Sequence, residues 1–192
     1  MSQAIIDPTA RIGRGTVIWD HTKIRENAQI GEGCSLGIGV YVGPGVLVGS
    51  QVLIQNGAQI FEPANIGQQV FIGPNVVLTN DRLPRAVDRN GNRQKEFDWQ
   101  KRGVNIGRGA SIGANSVCIG PVTIGTWSMV GAGSVVTRSI PDFALHYGNP
   151  AKFAYWVGVT GKKLIQESDV NFSCPDTGER YTLENPNLLV RQ

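Results

Sequence analysis

The chain has 192 residues, 17% of them charged and 41% hydrophobic, a length that suits one compact domain or a domain with a small appendage and argues against two globular domains. Twenty-five glycines and ten prolines against 7% aromatic residues favour a fold of many short turns over a helical bundle. The net charge of +3 is carried by residues 81–102, with seven basic and four acidic groups, so the remainder sums to zero and no general nucleic-acid surface follows. Three cysteines without a CxxC pair supply neither a disulfide framework nor a zinc site, which fits a reducing compartment. The segment MSQAIIDPTA lacks a basic and apolar leader, and no apolar run approaches the roughly 18 residues of a membrane span. A cytoplasmic protein without membrane attachment is expected.

From Ile6 onward an aliphatic residue recurs every six positions: Ile6, Ile12, Ile18, Ile24, Ile30, Leu36, Val42, Val48, Ile54, Ile60, Ile66, Ile72 and Leu78. Four residues after each comes a small or β-branched side chain, as at Ala28, Cys34, Ala58 and Val76. Both positions are expected to point inward. This is a hexapeptide period: each repeat gives a short strand and a turn, and three repeats close one triangular coil of a parallel β-helix. Gly15, Asn27, Gly33, Gly39, Gly45, Gly57 and Asn75 stand at turns that require positive φ. Cys34 and Cys118 fall on inward positions and read as inert core.

Residues 6–77 make four complete coils, and a fifth is interrupted after Leu78. The period resumes at Ile106 and runs through Ile112, Cys118, Ile124, Val130 and Val136 for two more coils. The step from Leu78 to Ile106 is not a multiple of six, so the segment of about residues 79–103 leaves the coil as a loop. After Pro141 the period ends. A β-helix domain of residues 1–141 is therefore followed by a capping extension of residues 142–192, with a short helix predicted near Pro150 and a hairpin around Pro175-Asp176-Thr177-Gly178. Cys174 reads as packing, and Trp19, Asp20 and His21 as local packing or an end cap.

A solenoid has flat faces, so chemistry is expected first at the protruding loop. The loop opens Thr79-Asn80-Asp81-Arg82-Leu83-Pro84-Arg85, and upstream Gln55, Phe61, Glu62 and Thr79 stand where the repeat usually places glycine or a plain turn residue. Such departures from a local rule mark functional candidates, though each is also compatible with an exposed turn.

The motifs Ile54-Gln55-Asn56, Phe61-Glu62, Val70-Phe71-Ile72-Gly73-Pro74, Thr79-Asn80-Asp81 with Pro84-Arg85, Val130-Gly131-Ala132-Gly133-Ser134-Val135-Val136 and Gly148-Asn149-Pro150-Ala151 resemble the hexapeptide acyltransferases. Within them the likeness is to N-acetyltransferases that modify nucleotide-linked amino sugars in bacterial surface-polysaccharide (lipopolysaccharide) synthesis. The resemblance implies a left-handed coil and a homotrimer with acetyl-CoA in the groove between subunits. It places the pantetheine arm near Gly131 and Ala132 and the nucleotide end of the coenzyme near Arg138, Asn149 and Lys152. It also implies a UDP- or dTDP-linked amino sugar, preferentially a 3-amino sugar, as the acceptor, with Gln55 and Asn56 among the substrate residues; the loop's own excess of arginine, Arg82, Arg85, Arg89 and Arg93, suits a nucleotide diphosphate.

Many such enzymes use a histidine base near the loop, and this loop has none. His21 lies about four coils from Asn80, roughly 19 Å at ~4.8 Å per rung, and His146 falls outside the repeat. A hydroxyl needs a positioned base, whereas an amine with a pKa near the ~7.7–8.0 of α-amino groups is already roughly a tenth neutral at pH 7. An amine therefore needs mainly orientation: Asn80 as hydrogen-bond acceptor, and Asp81 or Glu62 to take or orient its proton. Two histidines in distant segments argue against a metal. Two alternatives stay open: an O-acyltransferase acting on a sugar or small alcohol, and a non-catalytic solenoid scaffold.

Overall fold

A computed structural model describes residues 3–95 and 98–192. The repeat becomes a parallel β-solenoid with three faces. Seven strands stack on the first face, from Ile5–Ile6 through Tyr41–Val42 and Val77–Thr79 to Val135–Val136. Six stack on the second, from Arg11–Ile12 to Val122–Ile124. The third face begins at Val17–Ile18 and carries eight strands, the last added antiparallel. Register is strict: Lys23 lies beside Tyr41, Gln59 beside Tyr41 on the other side, and Gln29 beside Leu47, each step being three repeats. This is the all-β solenoid that the period predicts, and it is consistent with a left-handed coil.

Each two-residue strand turns one side chain outward and the next inward, which is why the six-residue aliphatic ladder forms a core. From Ile24 to Val136 every ladder residue is buried, and so are the small partners Ala28, Cys34, Ala58 and Ala64. Among the described residues no strand stacks beneath the first coil, and Ile6 remains 41% exposed. The inward polar residues are satisfied by the neighbouring backbone: the Thr22 hydroxyl donates to the Gly37 carbonyl at 2.9 Å and the Ser116 hydroxyl to that of Gly131 at 3.0 Å. Burial pushes the Cys118 thiol up to about 12, so it is an inert core group as expected. All seven turn residues singled out above adopt positive φ, between 56° and 74°. His21 does too, at 60°, which makes it a turn residue.

The loop is seated where the chain passes from the first to the second face. Asn65 pairs with Asn105 and Val77 with Val117, whereas an uninterrupted coil would pair each with the residue three repeats further on, so the surplus chain is an insertion. The coil closes beneath and above the insertion without loss of register. A Cβ on Gly103 would lie 2.6 Å from the Pro63 carbonyl carbon, so the loop can re-enter the coil this closely only through glycine.

The helix predicted near Pro150 does not form. Lys152–Trp156 is a strand, antiparallel to Ala144–Tyr147, which itself continues the third face beside Met129–Val130. The sequence Phe153-Ala154-Tyr155-Trp156-Val157 is aromatic and β-branched, a composition that suits a strand closing over a sheet end, and this outweighs the helix-start signal of Pro150. The predicted hairpin is present: Asn171–Ser173 pairs antiparallel with Arg180–Asn185 within a four-stranded sheet. Cys174 is buried there, with its sulfur 3.6 Å from the Thr160 hydroxyl. Among the described residues no helix is long and apolar enough to cross a membrane.

Candidate active site

Three edges join the faces, and the chain visits them in fixed order, so the position of a residue within its coil decides which edge it occupies. The first edge, between first and second faces, contains Arg25-Glu26, Gly43-Pro44, Phe61-Glu62 and the inserted loop. The third edge, between third and first faces, contains Trp19-Asp20, Gly37-Ile38, Gln55-Asn56 and Gly131-Ala132.

On the first edge the repeat is replaced by a polar and aromatic cluster. Glu62 pairs with Lys101 at the return of the loop, Oε1 to Nζ at 2.8 Å, with side chains only 17% and 24% exposed. Desolvation leaves this pair far less screened than a surface ion pair. The Lys101 ammonium also lies 5.9 Å from the centre of the Trp99 ring. Below Glu62, Phe61 packs against Tyr41 with ring centres 5.4 Å apart, and the Tyr41 hydroxyl accepts a hydrogen bond from Arg25 at 3.5 Å.

Asn80 sits at the loop's departure. Its carbonyl accepts the Arg102 amide at 3.0 Å and so ties the loop's two ends together, while its half-buried side chain stays at the coil surface. Asp81 Oδ1 accepts the Leu83 amide at 2.8 Å, an Asx turn that aims the chain outward. Arg82 and Arg85 are exposed. Further out the loop folds on itself: Asp88 Oδ1 accepts the amides of Asn90 and Asn92 at 2.8 and 2.9 Å, and Val87 bridges Arg93 antiparallel. The run Asp88-Arg89-Asn90-Gly91-Asn92 carries a hairpin-turn signal that was not among the sequence expectations.

On the third edge, Asn56 Oδ1 accepts the Ile38 amide at 3.0 Å. Gln55 and Asn56 border a recess of about 320 Å³ with Trp19, Ile38 and Ile54. Trp19 is 54% exposed, so it covers this recess from one side only. Higher on this edge, the Gly131 amide donates to the His146 carbonyl at 2.9 Å, and the Gly131 carbonyl accepts from Ser116 and Ser134. Both main-chain groups of Gly131 are thus engaged inside the coil, and Ala132 is the exposed residue of the two. Asn149 and Lys152 are exposed beyond it. Arg138, also exposed, lies on the first edge of the last coil.

The sequence candidates are therefore brought together in two groups. Glu62, Asn80, Asp81, Arg82, Arg85 and Arg138 share the first edge, and Gln55, Asn56, Gly131, Ala132, Asn149 and Lys152 share the third. The first face separates them within one chain. Lys101 and Trp99 were missed. Their signal was their place at the return of the loop, in register with Glu62 one coil below.

His146 is half-buried, with its ring edge-on to Phe153 at 5.7 Å and its Nδ1 without a hydrogen-bond partner. Burial lowers its pKa. Among the described residues no three His, Cys, Asp or Glu side chains gather into a metal site.

Two family models match: the bacterial transferase hexapeptide (six repeats) over residues 27–62 and the hexapeptide repeat of succinyl-transferase over residues 103–138. The chain is 49% identical over 77 residues to a dTDP-3-amino-3,6-dideoxy-alpha-D-galactopyranose 3-N-acetyltransferase of Aneurinibacillus thermoaerophilus, a stretch covering 40% of this chain and 38% of that enzyme. Its fold is similar to that of a Bacillus cereus protein assigned as an acetyltransferase, with TM-score 0.55 and 20% identity over 82% of this chain and 80% of the other. It is also similar to a hexapeptide-repeat acetyltransferase of Vibrio cholerae, with TM-score 0.52 and 22% identity over 77% and 74% of the two chains. In its repeat and its coil, the chain is a hexapeptide-repeat solenoid similar to these transferases.

Proposed function

We propose that the protein is an acetyl-CoA-dependent N-acetyltransferase acting on the amine of a nucleotide-linked amino sugar, preferentially a 3-amino sugar, in bacterial surface-polysaccharide synthesis. The observation that carries this is the first edge: an arginine-bearing loop rooted beside Asn80 and the Glu62–Lys101 pair. The stretch shared with a 3-amino-sugar N-acetyltransferase supports the acceptor class. Nucleotide sugars and acetyl-CoA are cytoplasmic metabolites, which fits the location expected from the sequence.

In the reaction the amine nitrogen attacks the thioester carbonyl carbon. A C–N bond forms, the C–S bond breaks, the nitrogen loses a proton, and CoA leaves as the thiol. Asn80 accepts a hydrogen bond from the amine and directs its lone pair at the carbonyl. Glu62 and Asp81 are the carboxylates at hand to receive the proton. The Glu62–Lys101 ion pair fixes the carboxylate and shields it from bulk water. Arg82 and Arg85 face the sugar nucleotide's phosphates, and fork-shaped guanidinium groups suit that role.

The thioester donor comes along the third edge of a neighbouring copy, where Ala132, Asn149 and Lys152 are exposed. The outward faces support a homotrimer. Outward positions of the third face are Val17, Leu53, Phe71 and Met129 with Ser35 and Ser111, and those of the first are Ile5, Tyr41, Val77, Val117 and Val135 with Lys23 and Gln59. The second face instead shows Arg11, Gln29, Asn65, Asn105 and Thr123, with Leu47 the exception. Two mostly apolar faces flanking one edge, against a mostly polar second face, are what a closed, head-to-tail ring of copies buries. Incubation with acetyl-CoA and a panel of UDP- and dTDP-amino sugars, following thiol release, tests the assignment. Release with a sugar alcohol but with no amine would favour O-acylation instead.

A further inference from the structure

The loop carries a recess of its own, apart from Asn80 and the coil surface. It has a volume of about 530 Å³ and is bordered by Asp81, Arg85, Ala86, Arg93, Gln94 and Trp99. This volume is within the range of small-ligand sites, and the polar and aromatic wall groups are one large ring, two guanidinium groups, one side-chain amide and, at the end toward Asn80, the Asp81 carboxylate, whose Oδ1 is taken up by the Leu83 amide. Among the described residues neither Arg85 nor Arg93 forms an ion pair, and the Arg85 guanidinium donates only to the adjacent Pro84 carbonyl at 3.2 Å. The walls are held in place. The Gln94 amide donates to the Ala86 carbonyl at 3.1 Å, Arg93 bridges Val87, and Asp88 closes the hairpin tip.

We infer that this recess receives the nucleoside diphosphate of the acceptor: the pyrimidine base stacks on Trp99 with its edge toward Gln94, and the diphosphate lies between Arg85 and Arg93. A flat, electron-rich indole provides stacking for a base, an amide offers both donor and acceptor to a pyrimidine edge, and paired guanidinium groups match phosphate oxygens. The recess begins at Asp81, next to Asn80, so a diphosphate held there leaves the sugar directed at the loop's root. The inference rests on the nucleotide-sugar reading above and adds the residues that select the nucleotide. Coenzyme A carries a nucleoside phosphate as well, but the positions assigned to it other than Arg138 lie on the third edge.

Binding of dTDP and UDP to the full chain, measured by calorimetry without acetyl-CoA, tests the inference. Trp99→Ala is expected to weaken both about ten- to a hundredfold, the usual consequence of removing one stacking platform, while Trp99→Phe keeps most of the affinity. Arg93→Gln should weaken dTDP much more than thymidine. Unchanged dTDP affinity in both Trp99→Ala and Arg93→Gln would overturn the assignment, as would displacement of dTDP by adenosine 3′,5′-bisphosphate. Should Trp99→Ala fail to fold, Arg93→Gln decides alone, and unchanged dTDP affinity in it overturns the assignment. Nucleotide binding through Trp99 without acetylation of any amino sugar would sink the function and leave this inference standing. Acetylation with an unchanged acceptor KM in Trp99→Ala would do the reverse.

Discussion

The two edges that border the first face obey different rules. Along the third edge the spacing of the repeat is kept: turns recur once in every coil, with Trp19, Ile38 and Gln55-Asn56 low on the edge and the small, exposed Ala132 higher up. Along the first edge the repeat is broken by Phe61-Glu62 and by an inserted loop that leaves the register of the neighbouring strands intact. An edge of evenly spaced turns offers the same shallow surface coil after coil, whereas an inserted loop offers side chains that can distinguish one ligand from another. In the proposed reaction the two edges must come from different copies, because one face of the prism lies between them in a single chain.

The sharpest contrast in stability is between coil and loop. Ile60→Ala or Ile72→Ala removes a fully buried ladder residue with coils stacked on both sides, and chemical denaturation is expected to show a loss of about 2–5 kcal/mol. Substitutions at Arg82 or Arg89, exposed in the loop, should shift the same curve by less than about 0.5 kcal/mol. Equal losses at the two kinds of position would remove the distinction.

Asn80→Ala is expected to lower kcat for the amino sugar about a hundredfold while the melting temperature changes little, since its structural hydrogen bond is made by the backbone carbonyl. Full activity in this variant would remove Asn80 from the reaction. Lys101→Met leaves Glu62 partly desolvated without its cation. A fall of about tenfold in kcat/KM is expected, with a modest loss of stability. An unchanged kcat/KM would make the pair merely structural.

The smallest effect concerns pH. Burial lowers the pKa of His146 in the folded chain, so the unfolded chain binds this proton more readily. Stability should therefore be complete above the ordinary histidine pKa and fall as pH drops below about 6.5. His146→Gln is expected to flatten that slope in melts taken between about pH 5 and 7. A slope that persists in the variant belongs to other groups.

The coil was legible because its physics is periodic. A side chain at Ile54 or Ile66 must point inward if the strand is two residues long, and Asn27 or Asn75 must turn because the next strand begins two residues later. The loop's position was legible from the arithmetic of the period, and its interior was not. The Glu62–Lys101 pair joins residues from opposite sides of the loop, and only the coil's stacking brings them within 2.8 Å. Near Pro150, local helix signals competed with an open sheet end, and the unpaired strand edge won. The division of candidates between two edges was implicit in the period, since Gln55 and Glu62 fall in successive turns on either side of the first-face strand Gln59–Ile60, but a list of motifs along the chain does not display it.

The central claim is that one copy's first edge meets another copy's third edge to complete the site. Mixing two inactive variants tests it most directly: Asn80→Ala, altered on the first edge, and Ala132→Trp, obstructed on the third. After the two are unfolded together and refolded at equal amounts, about a quarter of the contacts in randomly mixed rings join two intact edges, and thiol release should return to about that fraction of the unaltered rate. No recovery, from mixtures in which exchange of subunits is verified by mass, would contradict a site shared between copies.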